Sequence, residues 1–132
     1  MGEKLKDAGA VQKPYPFCST DGALLPGPLA YVRPDKFPVT PCHRLVNPVR
    51  HETHFFAINP SELDAIWDLV AEAKAVVDAK DHLDGYNLGI NVGEVAGETV
   101  AHAHLHVIRR YRGDVENPRG GVRGVIPAMQ HY

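Results

Sequence analysis

The chain has 132 residues, of which 44% are hydrophobic and 23% charged, and its formal net charge is -2. These values predict one compact domain with a buried core. The near-neutral charge excludes the overall basic field that attracts nucleic-acid polymers or anionic membranes. No stretch approaches the roughly 20 apolar residues of a membrane span, and the N-terminus lacks the apolar run of a signal peptide, so a cytoplasmic location is expected.

The N-terminal part of the sequence differs in composition from the rest. Residues 1–28 carry many Gly, Pro and polar positions, which predicts a polar arm before the folded domain. Two short strands, AYVR and HRLV, follow and flank the Pro-rich turn PDKFPVTPC, so they predict a hairpin. The two cysteines, Cys18 and Cys42, lie far apart and outside any C-x-x-C pair, which favours reduced thiols over a disulfide.

One segment has the periodicity of a long helix. Residues 61–80 place apolar side chains at helical spacing, with charged residues between them. Ser61 and Asp64 have the spacing of a capping box, which predicts the start of the helix. The apolar stripe includes Trp67, which is predicted to lie in the core.

The segments after the helix alternate between apolar and polar residues. YNLGINVG and TVAHAHLHVI both show this period of two, on either side of the loop GEVAG, and together they predict an antiparallel hairpin. The whole pattern predicts an α+β fold, in which a twisted antiparallel sheet packs one long helix on its apolar face. In an extended strand His102, His104 and His106 would share the opposite face.

Three histidines on one face allow two kinds of site. For a metal site, the Cα atoms of the outer two would lie roughly 13 Å apart, whereas Zn–N bonds are only about 2.0 Å. A two-histidine metal site would therefore need a further ligand, for which His43, His51 and His54 are candidates. For a catalytic site, neutral His104 would attack phosphorus while its neighbours donate hydrogen bonds and set its tautomer. Asn91 and Thr99 would add neutral donors to the phosphate.

These motifs resemble those of one known family. HAHLHVI fits the H-φ-H-φ-H-φ-φ signature of the histidine triad (HIT) superfamily, where φ is apolar. The resemblance extends over AYVRPDKFPVTPCHRLVNPVRH, the helix, and NLGINVGEVAGETVAHAHLHVIRR. The tail GDVENPRGGVRGVIP is similar to that of bacterial hydrolases close to the fragile histidine triad branch. The resemblance implies a HIT domain over residues 29–127 and a short C-terminal tail, residues 128–132.

The resemblance also implies a function. The protein is expected to cleave dinucleoside polyphosphates or related nucleotide conjugates at the α-phosphate, through a covalent nucleotidyl-histidine intermediate. His104 would be the nucleophile, and His106 would contact the α-phosphate and leaving group. The supporting network would consist of His102, His43 and His51.

The substrate-binding residues are likewise implied by the resemblance. Asp35 occupies the position that holds the ribose hydroxyls, and Asn91 and Thr99 match positions beside the phosphate. A homodimer is also implied. A nucleoside phosphoramidate hydrolase and a non-catalytic nucleotide-binding protein remain alternatives.

No resident cofactor or metal is predicted, and the sequence leaves open whether Mg²⁺ accompanies a polyphosphate substrate. Some family members hold a structural zinc ion through an N-terminal C-x-x-C and two histidines. The corresponding stretch here has only Cys18, with Tyr15 in the first position. A structural zinc site is therefore not expected.

Three positions depart from the family pattern. Cys42 replaces a common Gly, Glu98 replaces a frequent Gln, and Arg109 replaces a Pro that often follows the motif. Five arginines in the C-terminal part either contact a polyphosphate or form a solvated basic tail. They are Arg109, Arg110, Arg112, Arg119 and Arg123.

Overall fold

The computed structural model describes residues 22–80 and 85–132. Most of the predicted N-terminal arm, residues 1–28, lies outside the described residues, as do Tyr15 and Cys18. Within the part of the chain that is described, no helix is both long and apolar enough to cross a membrane.

Four strands form one antiparallel sheet. The strands are β1 (Ala30–Pro34), β2 (Arg44–Pro48), β3 (Gly85–Gly89) and β4 (Leu105–Arg110). Their order in the sheet is β1-β2-β4-β3, and every neighbouring pair is antiparallel. The predicted α+β fold and its two hairpins are therefore confirmed.

The long helix begins one residue earlier than predicted. Helix α1 spans Pro60–Asp78, and Asn59 is its N-cap. The Asn59 side chain accepts the N–H of Glu62 at 2.9 Å, and the Glu62 carboxylate accepts the N–H of Asn59 at 3.2 Å. The predicted capping box of Ser61 and Asp64 is wrong, because a proline at the first helical position and this reciprocal pair already fix the helix start.

The stripe of α1 that packs on the sheet differs from the predicted one, since it contains Leu69 but not Trp67. Ile66, Val70 and Ala73 are buried in the main core, together with β-strand residues such as Val46. Trp67 is 47% exposed, so its assignment to the core is wrong. It lies about 100° round the helix from Ile66, beyond the edge of the stripe that meets the sheet.

The predicted strands around the histidines are too long. Strand β3 ends at Gly89 and carries Leu88 with 40% exposure, although alternation placed Leu88 on the buried face. Strand β4 starts only at Leu105, so the prediction of one strand containing all three histidines is wrong. The backbone before β4 bonds outside the sheet, since Ala103 N–H donates to the carbonyl of Glu52 at 2.7 Å.

The sheet separates the core from a second, more polar face. Leu105 and Val107 point to the helix and are buried. His106 points the other way, and the register pairs it with Leu45 of β2 and with Gly89 of β3. We call this second surface, containing Leu45, Gly89 and His106, the site face.

Candidate active site

Two of the predicted histidines, His43 and His106, lie beside each other on the site face. His43 Nε2 is 2.9 Å from His106 Nδ1, and the ring centroids are 5.2 Å apart. The other nitrogen of His43, Nδ1, accepts the main-chain N–H of Val39 at 3.0 Å. This bond fixes the His43 proton on Nε2, from which it is donated to His106 Nδ1. Neutral His106 must then carry its own proton on Nε2.

The other two, His102 and His104, lie on the segment that leads into β4. Their proton positions are fixed by main-chain carbonyls, which can only accept. His104 Nδ1–H donates to the carbonyl of His102 at 2.7 Å, and His102 Nε2–H donates to the carbonyl of Pro48 at 2.8 Å. In neutral His104 the second nitrogen, Nε2, is therefore unprotonated and carries its lone pair. The His104 and His106 ring centroids lie 5.1 Å apart.

Burial favours the neutral form of all four imidazoles. Desolvation lowers the pKa of His43, His104 and His106, and it lowers the pKa of His102 to about 4. The Asp35 carboxylate opposes the decrease in the pKa of His43, but desolvation outweighs it. At neutral pH the cluster therefore holds a basic lone pair on His104 Nε2 beside an N–H on His106 Nε2.

Asp35 joins the same cluster from the end of β1. Its Oδ2 lies 3.3 Å from His43 Nε2 and 3.8 Å from His106 Nδ1. Its Oδ1 accepts the N–H of Phe37 at 2.8 Å, which holds the carboxylate in place. The structure thus brings together four of the predicted site residues around one short stretch of the site face: Asp35, His43, His104 and His106.

Asp35, His43 and His106 also form a cluster of possible metal ligands, whose donor atoms all lie within 4.8 Å of one another. The hydrogen bonds conflict with this use. A metal ion on His43 Nε2 would require the proton on Nδ1, where the N–H of Val39 already donates. The tautomer of His43 therefore suits a hydrogen-bond donor better than a metal ligand.

Other predicted residues lie further out. Asn91 and Thr99 are partly buried in the loop between β3 and β4. The strand that was predicted to contain Asn91 ends at Gly89. His51 contacts His102 edge to face, with ring centroids 5.2 Å apart, whereas His54 is exposed.

The C-terminal arginines are engaged in contacts within the protein. Arg109 is completely buried on the helix side of the sheet and pairs with Asp78 at 3.2 Å, so for this residue both alternatives, contact with a polyphosphate and a solvated tail, are wrong. Arg110 pairs with Asp114 at 2.7 Å. Arg119 and Arg123 both stack on the ring of Tyr132, the last residue.

Two features of the site were missed from the sequence or only noted as departures. The N–H of Val39 had no signal, because every residue except proline supplies one. Cys42, noted as a departure, has φ of 71° and is the only described residue other than glycine with a positive φ. The common Gly at this position was therefore a usable signal for a left-handed turn before His43.

A known protein family matches most of this chain. The HIT domain family matches residues 20–113. The chain belongs to the HIT domain family. The boundaries predicted from the sequence, 29–127, stay a prediction.

Relatives of this HIT protein include uncharacterised proteins and enzymes. An uncharacterised HIT-like protein of Saccharolobus solfataricus is 32% identical over 98 residues, covering 74% of this chain and 70% of the relative. The asymmetrical bis(5'-nucleosyl)-tetraphosphatase of Schizosaccharomyces pombe is 35% identical over 77 residues, covering 58% of this chain but only 42% of that enzyme. A crystal structure of a HIT family protein from Bacillus anthracis matches with a TM-score of 0.71 and 32% identity, covering 77% of each chain.

Proposed function

We propose that this HIT protein is a nucleotide hydrolase that cleaves at the α-phosphate of dinucleoside polyphosphates or related nucleotide conjugates. The observation that carries the proposal is the pair of opposite tautomers. His104 carries a lone pair on Nε2, whereas His106 carries a proton on Nε2. The centroids of the two rings are 5.1 Å apart. The tetraphosphatase of Schizosaccharomyces pombe among the relatives supports the substrate class.

In the first step His104 Nε2 attacks the α-phosphorus, forming a P–N bond while the bond to the leaving group breaks. His106 Nε2–H donates a hydrogen bond to the leaving oxygen or to a phosphate oxygen and stabilises its negative charge, so the leaving group departs as an anion. In the second step water attacks the same phosphorus, the P–N bond breaks and the proton of the water passes to solvent. The nucleoside monophosphate departs, and His104 Nε2 regains its lone pair.

The remaining predicted residues hold these two in place and bind the substrate. His43 donates to His106 Nδ1 and so keeps the His106 proton on the nitrogen that faces the substrate. Each oxygen of the Asp35 carboxylate has more than one lone pair, so it can accept from the vicinal hydroxyls of a ribose in addition to its contacts with Phe37 and His43. His102 supplies the carbonyl that orients His104, and Asn91 and Thr99 donate to the phosphate.

A substrate panel tests this proposal. Diadenosine polyphosphates, nucleoside phosphoramidates and nucleoside triphosphates labelled in the nucleotidyl group are incubated with the protein and quenched with base, which preserves an acid-unstable histidine adduct. We expect turnover of at least one class, with label retained on the wild type and lost in His104→Ala. Binding of nucleotides without turnover of any class would support a non-catalytic binding protein instead.

We also propose that the protein forms a homodimer. Two apolar side chains support a contact with a second copy: Trp67 on α1 is 47% exposed and Leu88 on β3 is 40% exposed. Light scattering after gel filtration is expected to give twice the chain mass of 14.5 kDa. Trp67→Arg should lower the mass, whereas Val95→Arg, at a fully exposed loop position, should not. A wild type with the mass of one chain would contradict the proposal.

A further inference from the structure

The chain reverses tightly from Thr40 to His43, and we call this segment, Thr-Pro-Cys-His, the TPCH turn. The N–H of His43 donates to the carbonyl of Thr40 at 3.2 Å. Pro41 and Cys42 occupy the two central positions, and the φ of 71° at Cys42 is typical of a type II turn. The residue before the turn, Val39, donates its N–H to His43 Nδ1 at 3.0 Å. The tautomer of His43 therefore depends on the position of this turn.

The side chains around the TPCH turn contribute little to the core. Phe37 is 61% exposed and Val39 is 69% exposed, and Pro38 and Pro41 are exposed as well. Burial of apolar surface, which fixes most segments on a sheet, is therefore small here. The position of the turn depends more on polar contacts than on burial.

Two hydroxyl groups attach the TPCH turn to the end of β4. Thr40 Oγ1–H donates to the carbonyl of Arg109, and the Tyr111 hydroxyl donates to the carbonyl of Pro41 at 2.9 Å. Arg109 lies two residues beyond Val107, the last residue of β4 that pairs with β2. The two hydroxyls therefore continue the attachment of the hairpin to β4 beyond the end of the β2–β4 ladder.

The strand that holds the turn also carries His106. His106 lies three residues before Arg109 on β4, and its Nδ1 accepts the proton of His43 Nε2 at 2.9 Å. If the turn moved away from β4, the N–H of Val39 would leave His43 Nδ1, and the His43 proton could occupy that nitrogen. His106 would then carry its proton on Nδ1 and a lone pair on Nε2, the nitrogen that is proposed to face the substrate.

We propose that Thr40 and Tyr111 are positioning residues, which hold the TPCH turn on β4 and thereby keep the proton of His106 on Nε2. The inference rests on the proposed hydrolase function, in which that N–H stabilises the charge of the leaving oxygen. Both side chains act through the hydrogen bonds from Val39 to His43 and from His43 to His106.

Asp35 favours the same position of the proton. Its Oδ2 lies 3.3 Å from His43 Nε2 and attracts the proton on that nitrogen. Loss of one hydroxyl from the attachment of the turn should therefore lower the fraction of His106 that carries its proton on Nε2 without abolishing it. The expected effect is that of one neutral hydrogen bond, about 3- to 10-fold.

The kinetic test compares diadenosine tetraphosphate with the p-nitrophenyl ester of AMP. Both substrates transfer the same adenylyl group to His104, but only the tetraphosphate has a leaving oxygen with localised charge. In Thr40→Val and in Tyr111→Phe the ratio of kcat/KM for the tetraphosphate to that for the ester should fall by about 3- to 10-fold. A purely structural defect would lower both values together and leave their ratio unchanged.

Two further variants serve as controls. Thr40→Ser keeps the hydroxyl and should restore the wild-type ratio. Tyr132→Phe makes the same change as Tyr111→Phe at a position that is 72% exposed, and it should leave the ratio unchanged. A wild-type ratio in Thr40→Val or in Tyr111→Phe would overturn the role of that residue.

A second measurement needs no substrate and reads the tautomers directly. In proton–nitrogen correlation spectra at neutral pH, His43 and His106 of the wild type should both carry their protons on Nε2. In Tyr111→Phe a fraction of both should shift to Nδ1. A wild-type His43 with its proton on Nδ1 would contradict the inference even if no variant folds. Cleavage of neither substrate by the wild type would instead refute the proposed hydrolase, and the spectra would still test the role of the turn.

Discussion

The four imidazoles of the site form two pairs that are held in different ways. On the segment before β4, carbonyls accept from His102 and His104, so the His104 lone pair is left on Nε2. On the sheet, the N–H of Val39 donates to His43, which donates in turn to His106. One pair therefore ends in a base and the other in a donor. Main-chain partners of opposite polarity therefore give chemically identical side chains opposite roles.

Substitution of His104, the base of the first pair, should have the largest effect on activity. His104→Ala removes the proposed nucleophile and should lower kcat by about 10⁴- to 10⁶-fold, since loss of a covalent nucleophile has effects of this order. The measurement is steady-state hydrolysis of the best substrate in the panel. Turnover near the wild-type rate would show that His104 Nε2 is not the nucleophile.

The donor of the second pair should matter less and should depend on the leaving group. His106→Ala is expected to lower kcat by about 10²- to 10⁴-fold on a substrate whose leaving oxygen carries localised negative charge, because that oxygen loses its hydrogen-bond donor. With the p-nitrophenyl ester of AMP the loss should be much smaller, because p-nitrophenolate spreads its charge over the ring. An equal loss on both substrates would contradict the assignment of His106 as donor.

Burial of His102 makes the free energy of unfolding depend on pH. Its pKa is about 4 in the folded protein against 6.5 for an ordinary histidine, so between these values the unfolded chain binds the extra proton. The free energy of unfolding should fall as pH decreases from 6.5 to 4, by up to about 3 kcal/mol. In urea unfolding, the free energy of unfolding of His102→Gln should change less with pH than that of the wild type. His131→Gln, a change at an exposed position, should keep the wild-type pH dependence. The same pH dependence in the wild type and both variants would contradict this prediction.

The pH dependence of activity tests both pairs at once. Desolvation lowers the pKa values of His104 and His106 below that of an ordinary histidine, so their neutral forms persist to lower pH. The decline of kcat/KM on acidification should therefore have its midpoint below pH 6.5, the ordinary pKa of histidine, and reach about tenfold per unit for each imidazole that must be neutral. A midpoint at or above pH 6.5 would mean that the cluster is more solvated than its burial indicates.

The smallest expected effect concerns the turn that presents the second pair. Cys42 has φ of 71°, a region that costs residues other than glycine about 1–2 kcal/mol. Cys42→Gly should therefore raise the free energy of unfolding by up to about 1 kcal/mol, since the greater entropy of unfolded glycine offsets part of the gain. Thermal or urea unfolding would measure it, and destabilisation would show that the thiol contributes packing that outweighs the strain.

The sequence predicted the parts of the fold that depend on local periodicity. The β1–β2 hairpin and the long helix carry their patterns in consecutive residues, and both are present. The prediction of one strand containing all three histidines was wrong because the backbone before β4 bonds to distant partners, such as the carbonyl of Glu52. No local pattern encodes such partners. The same holds for Trp67, whose exposure depends on where the sheet meets α1.

The candidate site was predicted as a set of side chains but not as a set of protons. The histidines and Asp35 could be named from a motif and its resemblance, and the structure brings four of them together. Their tautomers depend on Val39 N–H and on the carbonyl of His102, which are invisible in a sequence because they belong to the main chain.

That dependence has an evolutionary consequence. Position 39 can be substituted by any residue except proline without loss of the main-chain N–H that fixes the proton on His43. The carbonyl of residue 102 would survive any substitution at all. Lineages could thus diversify the loops that choose a substrate while inheriting the acid–base polarity of the centre unchanged.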